Sequence, residues 1–168
     1  MVKSHVTRLA TLLLLVAAML GGCSSAPGAS PPINPATTQA DALKAQVESA
    51  KEAYRAVFTS INADLQESLP IIVDTLANHM DKFFSGDSAL LTKAGTAAGR
   101  VQACYVRAKA LTAPPGYETG HMLWLKALGH FDKAMTYFLQ GKRSAMPKCA
   151  EQISLGDKDL GEASSAFE

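Results

Sequence analysis

The chain has 168 residues, with 16 Lys and Arg against 15 Asp and Glu and a formal net charge of +1 at pH 7. That balance excludes a global basic field of the kind that holds nucleic acid. Three cysteines, at 23, 104 and 149, and three histidines beyond residue 22, at 79, 121 and 130, are the only soft or imidazole ligands it could offer outside its start and its methionines.

At the start, Lys3 and Arg8 form a basic segment and Leu9 to Leu20 an apolar run without charge, the pattern of an export signal over residues 1–22. The run is 12 residues long, whereas a helix needs about 20 to cross ~30 Å of hydrocarbon at ~1.5 Å per residue. It is too short for a permanent span. Leu20-Gly21-Gly22-Cys23 then follows, an aliphatic residue, two small ones and a cysteine, and this resembles the lipobox of bacterial lipoproteins. The resemblance covers residues 1–25. It implies cleavage before Cys23, a diacylglyceryl thioether on Cys23, and acylation of the new N-terminus, so that several chains hold the protein where one would bind marginally. Ser24, in place of an aspartate, implies by the enterobacterial pattern an outer-membrane location facing the periplasm in a Gram-negative cell, and a cell-envelope location in general.

Residues 24–37 read SSAPGASPPINPAT, with four prolines and a glycine among small polar residues. Such a stretch cannot bury enough surface to offset the entropy of ordering, so residues 23–37 are expected to be the lipidated cysteine and a flexible linker.

Residues 38–168 suit one helical domain. Leu43, Val47, Ala50, Tyr54, Val57, Ile61 and Leu65 recur at spacings of four and three, and the stripe resumes with Leu69, Ile72, Leu76, Met80 and Phe83. Pro70 interrupts it, and its missing donor and steric clash predict a break or strong kink, with Ser68 capping a second helix. Gly86 should end that segment and Asp87 or Ser88 cap the next. The third helix, about 88–112, carries Leu91, Ala94, Ala98, Val101, Tyr105, Ala108 and Leu111 on one side, with Gly95 and Gly99 suited to close packing. Ala113-Pro114-Pro115-Gly116 is a turn. Trp124, Leu128, Phe131, Met135 and Phe138 form the most aromatic stripe, ended by Gly141, and Met146, Cys149, Ile153, Gly156, Leu160, Ala163 and Phe167 form the last. No strand pattern competes. The predicted fold is all-α, an antiparallel bundle of four to five helices. The corner at Pro114-Pro115-Gly116, followed by His121 and an aromatic helix, resembles small helical lipoproteins of unknown function.

Residues 93–148 hold nine Lys and Arg and two acids, residues 41–87 four and eight, residues 149–168 one and five. Two readings stand: complementarity between neighbouring helices of one bundle, or an anion-binding face such as one for lipid headgroups.

An exported chain with Cys104 and Cys149 predicts a disulfide, stabilising by roughly 3–4 kcal/mol for a loop of about 45 residues. In a simple up-and-down bundle, however, the two sulfurs would be separated by roughly 15 Å along the axis, beyond the ~7 Å between Cα atoms that a bridge tolerates. The bond requires residues 141–146 to climb in extended form before the last helix begins near Pro147.

No His-Glu-x-x-His, Cys-x-x-Cys-His, phosphate loop or Gly-x-Ser-x-Gly elbow occurs, so no catalytic residue, cofactor or enzymatic activity is expected. His79-Met80 and His121-Met122 offer imidazole and thioether ligands suited to copper or silver; methionines at helical spacing also serve as core filler. Tyr117 and Trp124, near the proline corner, form either an exposed recognition corner or a seal on the core. The expected role is that of a membrane-anchored envelope lipoprotein, held by lipid on Cys23, whose bundle binds an envelope protein, with binding of a small ligand or metal as the alternative.

Overall fold

The computed structural model describes residues 35–167. The export signal, Cys23 and the linker up to residue 34 lie outside the described residues.

Among the described residues there are five α-helices and no strand: α1 (Pro35–Asn78), α2 (Met80–Ser85), α3 (Ser88–Lys109), α4 (Glu118–Leu139) and α5 (Met146–Ser165), with a 3-10 turn at Arg143–Ala145 before α5. None is long and apolar enough to cross a membrane. The four long helices alternate in direction. Arg100 reaches Glu67 and Cys104 reaches Ile61, so α3 descends as α1 rises, and Gly120 lies against Phe167 while Phe131 lies against Gly156, so α5 descends as α4 rises. Short connections impose this antiparallel order.

The termini follow local chemistry. Gly86 adopts φ 85° at the end of α2, a left-handed conformation that only glycine adopts at little cost. Asp87 then accepts a hydrogen bond at 2.9 Å from the Leu90 amide, satisfying one of the donors left free at the start of α3. Pro147 sits in the first turn of α5, where its missing N–H removes nothing.

α1 departs from expectation in three ways. It begins at Pro35, three residues inside the stretch read as linker. It also runs unbroken through Pro70. Pro70 and Gln66, whose carbonyl loses its partner, are both exposed, so water can replace the missing bond, while Ile72 and Leu65 on the opposite face stay packed. Ser68, expected as a cap, is instead a buried residue of the helix interior. Finally, α1 has 44 residues against 22 in α3 and 22 in α4, ~66 Å against ~33 Å. Its first turns therefore outrun the bundle, Leu43 is 56% exposed and Ala50 is exposed, and the stripe becomes core only from Tyr54 upward.

The core is built from Ile61, Leu65 and Ile72 of α1, Val101 and Cys104 of α3, Trp124, Leu128, Phe131, Met135 and Phe138 of α4, and Met146, Cys149 and Ile153 of α5. Trp124 and Tyr117 are buried and seal the lower end, beside Tyr54, Phe58 and Phe167. Charge complementarity is realised between helices: Arg100 and Arg107 of α3 pair with Glu67 and Asp64 of α1, and Lys126 of α4 with Asp159 of α5 at 3.0 Å.

The expected Cys104–Cys149 disulfide is absent; both cysteines are free and buried. Cys104 faces α1, its thiol donating to the Ile61 carbonyl at 3.7 Å, whereas α5 packs chiefly on α4. The chain does not run back in extended form toward the level of Cys104 after α4, because the 3-10 turn passes directly into α5 at Met146, so Cys149 remains near the upper end and the axial offset stands. Burial pushes both thiols up to a pKa of about 11, which withholds the reactive thiolate. Neither cysteine should react with a thiol reagent at pH 8 in the native state, and both should react in guanidinium without prior reduction. Peptide mapping after alkylation checks this, and a 104–149 cross-linked peptide would refute it.

Candidate functional site

The two His-Met pairs are not brought together. His79 stands at the upper end of α1, with Nε2 3.4 Å from Asp74, and His121 packs near the lower end beside Tyr54. Those levels are separated by ~37 Å of helix. In the second pair the side chains also diverge: His121 is buried while Met122 is exposed. Among the described residues no three His, Cys, Asp or Glu side chains cluster as a metal site.

His121 and His130 occupy separate polar networks. His130 lies between Gln152, at 2.8 Å from Nδ1, and the buried Asp159, at 3.3 Å from Nε2, and this network braces α4 against α5. His121 Nδ1 lies 2.8 Å from the Tyr54 hydroxyl. Burial, reinforced by Tyr117, pushes Tyr54 up to about 12, and burial holds His121 below its ordinary value. The pair is thus satisfied as a hydrogen bond between a neutral phenol and a neutral imidazole.

The consequence for stability has a definite sign. The unfolded chain takes up a proton on His121 near pH 6.5 and the native chain only at lower pH, so stability rises with pH across the window below ~6.5. Melting temperature should fall between pH 7 and pH 5, with a His121 contribution of at most about 1.4 kcal/mol per pH unit. His121→Gln, which keeps an acceptor for Tyr54, should flatten the profile; an unchanged slope would show that His121 does not govern it.

One opening, of ≈ 340 Å³, lies between α1 and α5 beside Leu65, Leu69 and Leu160; two others flank α3. Its upper half is poor in bulk: Ala89, Thr92, Ala94, Gly95, Thr96, Ala97, Ala98 and Gly99. Close packing at Gly95 and Gly99 was expected, yet a Cβ at either would meet nothing within 4 Å. The thin helix instead leaves a hollow on each side.

The hollow between α3 and α4, at the upper end, is apolar. It has a volume of ≈ 270 Å³ and is lined by Phe83, Phe84, Leu91, Gly95, Phe138 and Leu139. Phe83 stacks obliquely on Phe138 with centroids 4.9 Å apart and meets Phe84 edge-on at 5.3 Å, forming an aromatic floor. Leu91 and Leu139 stand at its lip, 39% and 51% exposed. The Arg143 guanidinium covers Phe84 at 4.6 Å and is fixed by Asp81 at 2.8 Å. The hollow between α1 and α3 is larger, ≈ 570 Å³, and mixed in lining, with Ile71, Ala89 and Ala97 beside Thr92, Lys93 and Arg100.

No feature of the sequence pointed to these hollows, since they arise from residues absent between helices. The glycines and alanines of α3 are the one signal, and they read equally well as close packing.

A scan against protein-family models finds no matching family. Searches of curated proteins and of solved structures find no match.

Proposed function

We propose that the chain is an envelope lipoprotein, anchored by lipid on Cys23, that holds its helical bundle away from the membrane and docks an apolar side chain of an envelope protein in the hollow over Phe83, Phe84 and Phe138. The observation that carries this reading is the position of the hollow. It opens at the upper end of the bundle, while the route to Cys23 leaves from the other end of a helix ~66 Å long. A short apolar hollow with an aromatic floor and exposed leucines at its lip fits the anchor-residue mode of protein docking, in which one buried side chain supplies most of the affinity.

The test is site-specific photo-crosslinking in cells. A photoreactive residue at Leu139 should give a discrete adduct with an envelope protein, and one at Val106, exposed on the same helix pair outside the hollow, should not. Gly95→Leu, whose Cβ would meet nothing within 4 Å, puts bulk into the hollow and should abolish the adduct while leaving the melting temperature unchanged or higher. An adduct that persists in Gly95→Leu rules out the hollow as the docking site. Intact mass of membrane-purified protein tests the anchor: residues 23–168 plus acyl chains are expected, and an unlipidated mass would overturn it.

A further inference from the structure

The first turns of α1 have no cover from the rest of the bundle. From Pro35 to Ala50 the helix extends roughly 16 residues, or ~24 Å, below the level at which α4 begins. An isolated helix of this length has little stability of its own in water. Yet the segment keeps an apolar stripe: Leu43 is 56% exposed, Ala40 and Ala50 are exposed, and Val47 is half-buried. Ala40, Leu43, Val47 and Ala50 are spaced by three, four and three residues, the repeat of a seam between two helices.

The bundle itself restricts what can cover that seam. Continued upward, the same face of α1 is taken by α4 and the end of α5: Tyr54 packs on Tyr117, Trp124 and Phe167 and bonds His121. A second α1 laid parallel in register would run into those residues, so only a helix that comes from below and stops near Tyr54 fits.

The same segment of another copy, reversed, meets that condition. Leu43 of one copy then stands level with Val47 of the other, and Ala40 with Ala50, so the larger side chains fill the centre and alanines let the ends approach. The flank of the seam reads Asp41, Lys44, Glu48, Lys51, acid and base in turn. Reversal brings Asp41 to within ~3 Å of the level of Lys51, and Lys44 to within ~3 Å of that of Glu48, opposite signs throughout. A parallel pair in register would set each charge level with its own like. Lys51 already meets Glu48 of its own chain at 3.0 Å, an exposed contact that exchanges at little cost.

We infer that residues 40–50 of α1 form an antiparallel interface with the same segment of a second copy, about a twofold axis at the level of Ala45. The two bundles then lie end to end. The hollow over Phe83 and Phe138 is at the outer end of each and stays open, so this interface neither requires nor prevents docking there. The seam is short, and the dimer is a weak one.

The test is sedimentation equilibrium of the chain from residue 23 onward, carrying Cys23→Ser so that lipid does not drive association. A reversible monomer–dimer equilibrium is expected at micromolar to millimolar concentration. Leu43→Glu enters the interface twice and should weaken the dimer about a hundredfold. Its melting temperature at low concentration should be unchanged, because Leu43 lies outside the core; Val47→Glu should behave alike. Val106→Glu, at an exposed position on α3, should leave the dimer intact. Orientation is read from spin labels on Thr59→Cys, an exposed site of α1, with Cys104 and Cys149 buried. Antiparallel pairing separates the two labels by ~42 Å along the axis, and parallel pairing sets them level. A chain that stays monomeric throughout, a dimer that survives both Leu43→Glu and Val47→Glu, or labels at the same level would each overturn the inference.

Discussion

Trp124→Ala should lower the melting temperature by about 10–20 °C. Trp124 is fully buried and touches three sides of the lower core. Its ring centroid lies 4.7 Å from Phe58, 6.4 Å from Tyr54 and 6.2 Å from His121, and its indole N–H donates to Asn62 Oδ1 at 3.1 Å. Truncation removes that contact area, leaves a cavity that a four-helix frame cannot close, and strands the Asn62 amide. Such changes cost about 3–5 kcal/mol, which in a domain of this size corresponds to the stated shift. Thermal and urea unfolding followed by circular dichroism give the value. A fall of less than about 5 °C would mean that the lower core collapses around the vacancy and that Trp124 is not its keystone.

Gly156 is the second position of large effect, for the opposite reason. It lies where α5 crosses α4 most closely, and a Cβ there would stand 2.5 Å from Cε1, 2.7 Å from Cδ1 and 2.9 Å from Cζ of Phe131. Phe131 is fully buried, with no free direction in which to swing. Glycine to alanine inside a helix ordinarily gains up to ~1 kcal/mol; here Gly156→Ala should instead lose about 1–3 kcal/mol, and Gly156→Val should prevent native packing of α5. Gly99→Ala, with nothing within 4 Å, should show the ordinary gain of about 0.5–1 kcal/mol. Pairing Gly156→Ala with Phe131→Leu should recover part of the loss, and the coupling in a double-mutant cycle measures how much of it is this one contact. Equal effects at Gly156 and Gly99 would contradict the close crossing.

A comparable approach occurs at Gly120, where a Cβ would lie 2.8 Å from Phe167. Phe167 follows the end of α5 and is only half-buried, so it can move aside, and the penalty there should be smaller than at Gly156.

The features legible in advance share one property: they are decided within a turn or two of chain. Gly86 and Asp87 end and restart a helix because the left-handed conformation and the side-chain cap are local. The Ala113-Pro114-Pro115-Gly116 corner breaks the helix because two prolines withhold donors. Trp124, Leu128, Phe131, Met135 and Phe138 are core because their spacing puts them on one face, and all five are buried.

What the tertiary structure decided depends on which helix lies opposite which, and at what height. Pro70 does not break α1 because its missing bond faces water while Leu65 and Ile72 are held by neighbours, a stabilisation outside any local window. Leu43 and Val57 share a stripe, yet only Val57 packs against the core, because α3 and α4 are half as long as α1. Cys104 and Cys149 remain thiols because one faces α1 and the other sits near the top of α5, and His79 and His121 are kept apart by the length of the helix between their levels. The two hollows beside α3 follow the same rule. Side-chain volume is written in the sequence, but whether small residues draw a neighbour close or leave a space is settled by the bulk of the helices on either side, here Phe83 and Phe138 above and the continuous rod of α1 beside them.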